Sequence, residues 1–123
     1  MEVAIAVGVG GAVGALLRWR VYVLMDNLSV SHYWSTLTVN LIGSFRAGLL
    51  LMWFQEKFPI SDLLRTGVFV GLLGGFTTYS AFSVDTVNMM MAGFYGRASA
   101  YVVVSIGVCL LGIWVGIMVG RSA

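Results

Sequence analysis

Charge is the scarcest feature of this chain. Only 10% of its 123 residues are Asp, Glu, Lys or Arg, 59% are apolar, and the mean hydropathy is +0.95. A formal net charge of +2, scattered along the sequence, excludes the basic stripe that nucleic-acid binding needs. A single cysteine, Cys109, excludes a disulfide framework and a thiolate metal cluster. The one histidine, His32, falls in a short polar loop, Asp26 to Ser35, with no partner carboxylate or cysteine pair in view, and is expected to be simply solvated. Acidic residues are missing from the middle of the apolar runs, since Glu2 is at the terminus and Asp85 nears an interface. That counts against proton-coupled exchange across a bilayer.

What remains is apolar sequence long enough to cross a membrane. Four runs qualify, about Val3 to Met25, Leu37 to Phe54, Thr66 to Met91 and Ala98 to Gly120. The expected fold is therefore an all-α integral membrane protein, a single domain over residues 1–123 with four transmembrane helices. The first run is expected to be kept rather than cleaved, because no basic residue precedes it and nothing before Arg18 resembles a cleavage site. Four helices make a thin bundle with little interior for a polar path, so an oligomer is expected. The flanking charges add a second argument. Lys57, Arg65 and Arg121 fall on one side of a four-span chain and Arg18, Arg20 and Arg97 on the other, three against three. The positive-inside rule then prefers neither orientation. Insertion both ways up would permit an antiparallel dimer with closed two-fold symmetry in the membrane plane.

The third run carries the least regular segment, Gly71-Leu72-Leu73-Gly74-Gly75-Phe76-Thr77-Thr78-Tyr79-Ser80-Ala81-Phe82-Ser83. Two adjacent glycines and a Thr-Thr pair weaken the backbone ladder where no bulk water can replace it. Two readings stand. In one the helix is discontinuous and its freed carbonyls can hold a cation. In the other the glycines, at 67, 71 and 75, only allow close helix packing. Tyr79 and Phe82 follow one turn apart, either as core aromatics or as rings whose electropositive rims face an anion. Ser80 and Ser83 add hydroxyl donors.

Elsewhere the polar residues are few. In the first run Gly10 and Gly14, with Gly11 and Ala15, form small-xxx-small pairs; the surroundings do not suit a phosphate loop. Arg18 follows Gly14 by one turn, which sets it toward protein, where it either snorkels or supplies a positive field to a vestibule. Thr36 and Asn40 share a face of the second helix. The Asn40 amide either glues helices together or offers neutral donors to an anion. Arg46, near mid-span, would cost on the order of 3 kcal/mol facing lipid, and it points roughly 120° away from Asn40. Between the second and third runs Phe58-Pro59-Ile60-Ser61-Asp62 reads as a turn and helix start capped by Ser61 or Asp62. In the fourth run Tyr101, Ser105 and Cys109 form a weakly polar stripe, and Gly112, Gly116 and Gly120 a close-packing one.

Three segments together, Gly10 to Trp19, Thr36 to Phe45 and Gly71 to Ser83, resemble the Fluc (CrcB) fluoride channels in order and spacing over nearly the whole chain. The resemblance implies a dual-topology antiparallel homodimer in the inner (plasma) membrane, with two pores exporting toxic cytoplasmic fluoride passively, and no enzymatic activity. It implies a structural Na+ at the dimer centre, held by the main-chain carbonyls of Gly74 and Thr77. It implies a fluoride pathway along Asn40, Tyr79, Phe82, Ser80, Tyr101, Ser105, Cys109 and Thr36, with Arg18 at the vestibule. Tyr79 departs from the family's usual phenylalanine, Cys109 replaces a common hydroxyl, and Arg46 occupies a usually apolar position. The alternative is a small multidrug-type dual-topology exporter, which would need a membrane-embedded acid.

Overall fold

The computed structural model describes residues 1–123 and is entirely helical. Helix α1 runs Glu2–Asn27 and α2 His32–Met52, the latter continued by a π-helical turn, Trp53–Lys57. The third span is assembled from pieces: α3, Asp62–Thr66; a π-helical segment, Gly67–Leu73; α4, Gly74–Phe76; and α5, Tyr79–Met91. Helix α6 closes the chain as Tyr95–Ser122. The four spans hold 26, 26, 30 and 28 residues, each about 40 Å or longer at helical rise, ample for a hydrocarbon core of about 30 Å. The chain is a multi-pass membrane protein.

Each expected run lies inside one of these spans. The second starts earlier than the hydropathy pattern suggests, at His32, because Ser35 and Thr36 are buried against neighbouring helices instead of lying in a loop. Of the two possible caps for the third span, Ser61 is the one used, its Oγ accepting from the Leu64 N–H at 3.4 Å.

The small-residue stripes set the packing. Gly10 and Gly14 of α1 meet the backbone of the third span, and Gly67, Gly71 and Gly75 return the contact. A Cβ on Gly71 would fall 2.7 Å from the Val7 carbonyl oxygen and 3.1 Å from the Gly10 Cα, so the two backbones touch. On the other side Gly112, Gly116 and Gly120 of α6 pack on Leu41, Phe45 and Leu49 of α2. Helices in lipid gain nothing from excluding water, and such close approach is what holds them together. The bundle is thin, with only 20 of 123 residues buried, so many large apolar side chains face outward.

The third span is discontinuous, and the break lies at the threonines. Gly74 and Gly75 stay helical, Gly75 pressed on Gly11 of α1. Thr77 (φ −79°, ψ 158°) and Thr78 (φ −148°, ψ 109°) are extended, and α5 begins afresh. The discontinuity of one reading and the glycine packing of the other both occur, in different places: glycines pack and threonines break. Arg46 is exposed on α2 and makes no hydrogen bond or ion pair within the chain.

If backbone contact between α1 and the third span holds the bundle together, Gly71→Val should destabilise it by roughly 1–3 kcal/mol, the usual cost of overpacking. Gly8→Ala, where nothing lies within 4 Å, should not. Apparent melting temperatures in one detergent check both; equal values would contradict the packing argument.

Candidate functional site

The break is made by a side chain. Asn40 of α2 accepts from the Thr78 N–H with Oδ1 (2.7 Å) and donates from Nδ2 to the Thr78 carbonyl (3.0 Å). In an unbroken helix the Thr78 N–H would serve the Gly74 carbonyl. Here Asn40 takes it, and the Gly74 carbonyl loses that donor. The next release is similar. The Ala81 N–H, which would serve the Thr77 carbonyl, is capped by Thr78 Oγ1 (3.1 Å). Arg18 Nη1 donates to that freed Thr77 carbonyl at 3.2 Å, so Arg18 does turn inward. Thr77 Oγ1 bonds back to the Leu73 carbonyl (3.0 Å), and its methyl sits against Gly43 of α2, where a side chain could not fit.

Beside the break lies a cavity of about 280 Å³ between α2, α5 and α6. Asn40, Tyr79, Phe82, Ser105 and Cys109 line it together, as do Ser44, Thr77, Thr78 and Ile106. No charged residue lines it. The Asn40 amide keeps one N–H beyond the bond to Thr78. Ser105 Oγ is buried with no partner at all. A buried hydroxyl without a partner is costly, and Ser105 is one of the residues that line the cavity. Tyr79 and Phe82 pack with ring centroids 5.4 Å apart, and Phe82 stacks in turn on Tyr101 at 5.5 Å.

The remaining sequence-predicted residues fall elsewhere. Arg18 and Ser80 line a different cavity, with Trp19, Tyr22, His32, Thr78 and Ala81, on the opposite flank of Thr78. The Ser80 hydroxyl pairs with Thr78 Oγ1 (3.2 Å), and Ser83 bonds back to the Tyr79 carbonyl. Thr36 is completely buried and donates to Asp85 Oδ2 at 2.7 Å; Tyr101 donates to the same oxygen at 3.3 Å. Because the Thr36 proton is spent on that carboxylate, Tyr22 must be the donor in its 2.7 Å contact with Thr36 Oγ1.

One expectation needs correction here. His32 is not a solitary loop histidine: it opens α2, and its Nδ1 lies 3.0 Å from Asp85 Oδ1. Asp85 is buried and bonded from His32, Thr36 and Tyr101. The partners are 53 residues apart in sequence, and no local pattern signals their meeting. Ser44 was detectable in principle, one turn beyond Asn40 on the same face.

Residues 5–117 match the family described as "CrcB-like protein, Camphor Resistance (CrcB)". The chain belongs to the CrcB-like family. Curated relatives share the name "Fluoride-specific ion channel FluC": one from Allorhizobium ampelinum is 43% identical over 98% of each chain, one from Magnetococcus marinus 40% over 94% of each, and one from Geobacter sulfurreducens 39% over 99% of each. These relatives are named as channels, not enzymes. For a multi-pass CrcB-like chain in a bacterium, the membrane concerned is the plasma membrane.

Asn40→Ala should leave the Thr78 N–H without its acceptor and cost about 1–3 kcal/mol, with faster amide exchange confined to the break. Unchanged exchange around residue 78 would mean that the threonines break the helix unaided.

Proposed function

We propose that this chain is a fluoride-selective passive channel built as an antiparallel homodimer. The observation that carries it is the cavity at the helix break, lined by neutral polar residues and aromatic rings, with Ser105, whose hydroxyl has no partner within the chain, among them. A small, strongly hydrated anion must be offered hydrogen bonds as it loses water, yet must not be trapped. Neutral amide, hydroxyl and thiol donors meet both demands, and a lysine there would meet only the first. The relatives' name supports fluoride as the ion.

A second copy covers what one copy leaves open. Tyr79 is 79% exposed at the break, and both cavities flanking Thr78 open to the outside. Polar walls open to hydrocarbon are costly. An oppositely inserted partner would close them, and the balanced flanking charges permit such a partner. Two-fold symmetry then gives two equivalent paths. One groove of each copy carries Asn40, Tyr79, Phe82, Ser105 and Cys109, and the other carries Arg18 and Ser80.

The Gly74 and Thr77 carbonyls fit a central Na+. They are hard oxygen donors released from helical bonding by Asn40 and Thr78, and a paired copy would double their number. Thr77 shares its carbonyl with Arg18, and a carbonyl has two lone pairs to share. When bound, the ion would tie the two breaks together and add positive charge beside the paths.

Liposomes carrying the purified protein should release fluoride and retain chloride, and Asn40→Asp should cut fluoride efflux at least about tenfold by placing a negative charge in the path. Equal release of both halides would overturn the assignment. Adding lysines to one set of loops should orient the population and lower activity, as read by protease accessibility alongside efflux. Full activity in a uniformly oriented population would exclude the antiparallel arrangement.

A further inference from the structure

The Asp85 network reaches from solvent to the aromatic pair. His32 is exposed over 64% of its side chain, Asp85 over 9%, and the two meet at 3.0 Å. Asp85 Oδ2 holds the Tyr101 hydroxyl, and the Tyr101 ring lies on Phe82, which lines the cavity at the break. Asp85 and Tyr101 line a separate cavity at this end of the bundle, and a route for the anion from the break along Phe82 and Tyr101 would pass the buried carboxylate. The carboxylate's only side-chain partner able to change charge between pH 5 and 8 is the imidazole.

We propose that His32 sets the rate of fluoride passage by compensating the charge of Asp85, so that conduction rises as His32 takes up a proton. With the imidazolium present the pair is neutral overall, and the anion passes a dipole. With neutral imidazole the Nδ1–H still donates to Asp85 Oδ1, but one full negative charge stands at the exit. The other titratable and charged neighbours are arginines and tyrosines. Arg18 and Tyr22 border His32 from α1, and the Tyr22 ring packs at a tilt against the imidazole, centroids 4.8 Å apart. Arg97 and Tyr101 face the carboxylate's cavity from α6, Tyr33 faces it from α2, and α5 adds only Asn88 beside Asp85.

The inference rests on the reading of the chain as a fluoride channel, and the test separates the two. Fluoride current is recorded across planar bilayers with equal pH on both sides, because neutral hydrogen fluoride carries no current. At fixed fluoride the wild-type current at pH 6 should exceed that at pH 8 by roughly fivefold, an effect sized for one partly screened charge. His32→Gln should be flat and low, and His32→Lys, with a permanent charge, flat and high. Asp85→Asn should also lose the pH dependence. A wild-type current that does not change with pH, or a His32→Gln profile as steep as wild type, would overturn the proposal while leaving the channel reading intact. Absence of fluoride current at both pH values would remove the channel reading and the proposal together.

Discussion

The reciprocal pair of hydrogen bonds between the Asn40 amide and the Thr78 peptide is the constraint from which the rest follows. A helix cannot be opened cheaply inside a membrane, because each freed backbone group costs several kcal/mol in hydrocarbon. Asn40 satisfies both backbone groups of one residue, Thr78, with one side chain, as a neighbouring strand would. The opening then runs outward: the Gly74 carbonyl loses its partner, Thr78 becomes the cap of a new helix, and Tyr79 and Phe82 are aimed by where α5 begins. Gly43 allows this geometry by letting Thr77 lie directly on α2. A larger residue there would push the break out of reach of Asn40.

Around this point the chain sorts its polar groups by charge. Near the break they are neutral: amide, hydroxyl and thiol, with aromatic rims. Roughly 10 Å further along α5, at helical rise, comes the Asp85 carboxylate, held by three donors. A carboxylate at the break would repel an entering anion and an ammonium would bind it too long. Displaced toward the end of the span, a buried charge can be offset by a residue that reaches solvent, as His32 does. Arg18 is the exception near the centre. Its charge is shared with the Thr77 carbonyl, and it borders the second cavity instead of the one lined by Ser105.

Much of this was legible in the sequence because it is periodic. The glycine stripes of α1, the third span and α6 repeat every four residues, and the contacts they make are the ones such spacing demands. The Tyr101, Ser105, Cys109 stripe was legible for the same reason, although Tyr101 spends its hydroxyl on Asp85. Asn40 was visible as a polar residue needing a partner, but its partner being a backbone unit 38 residues away was not. The break was legible as well, in the Thr77-Thr78 pair that follows the adjacent glycines. Gly75 stays helical against Gly11 of α1, and the β-branched threonines leave the helix instead. His32 and Asp85 were read separately because nothing local joins them. Nothing in the structure explains Arg46.

The thinness of the bundle is part of how it works. A single copy buries few side chains and leaves Tyr79, a large aromatic at the level of the break, almost wholly uncovered. A larger chain could wall off such a site with helices of its own. Here each copy has only four spans, and two of its interfaces, α1 on the third span and α2 on α6, already consume the glycine faces. The surface around the break, with both polar cavities, is left uncovered by these interfaces. In the proposed dimer the contact that joins the copies and the contact that encloses the ion paths are therefore the same contact. Substitutions at the break should then alter assembly and conduction together, whereas those on the glycine faces should act on stability alone.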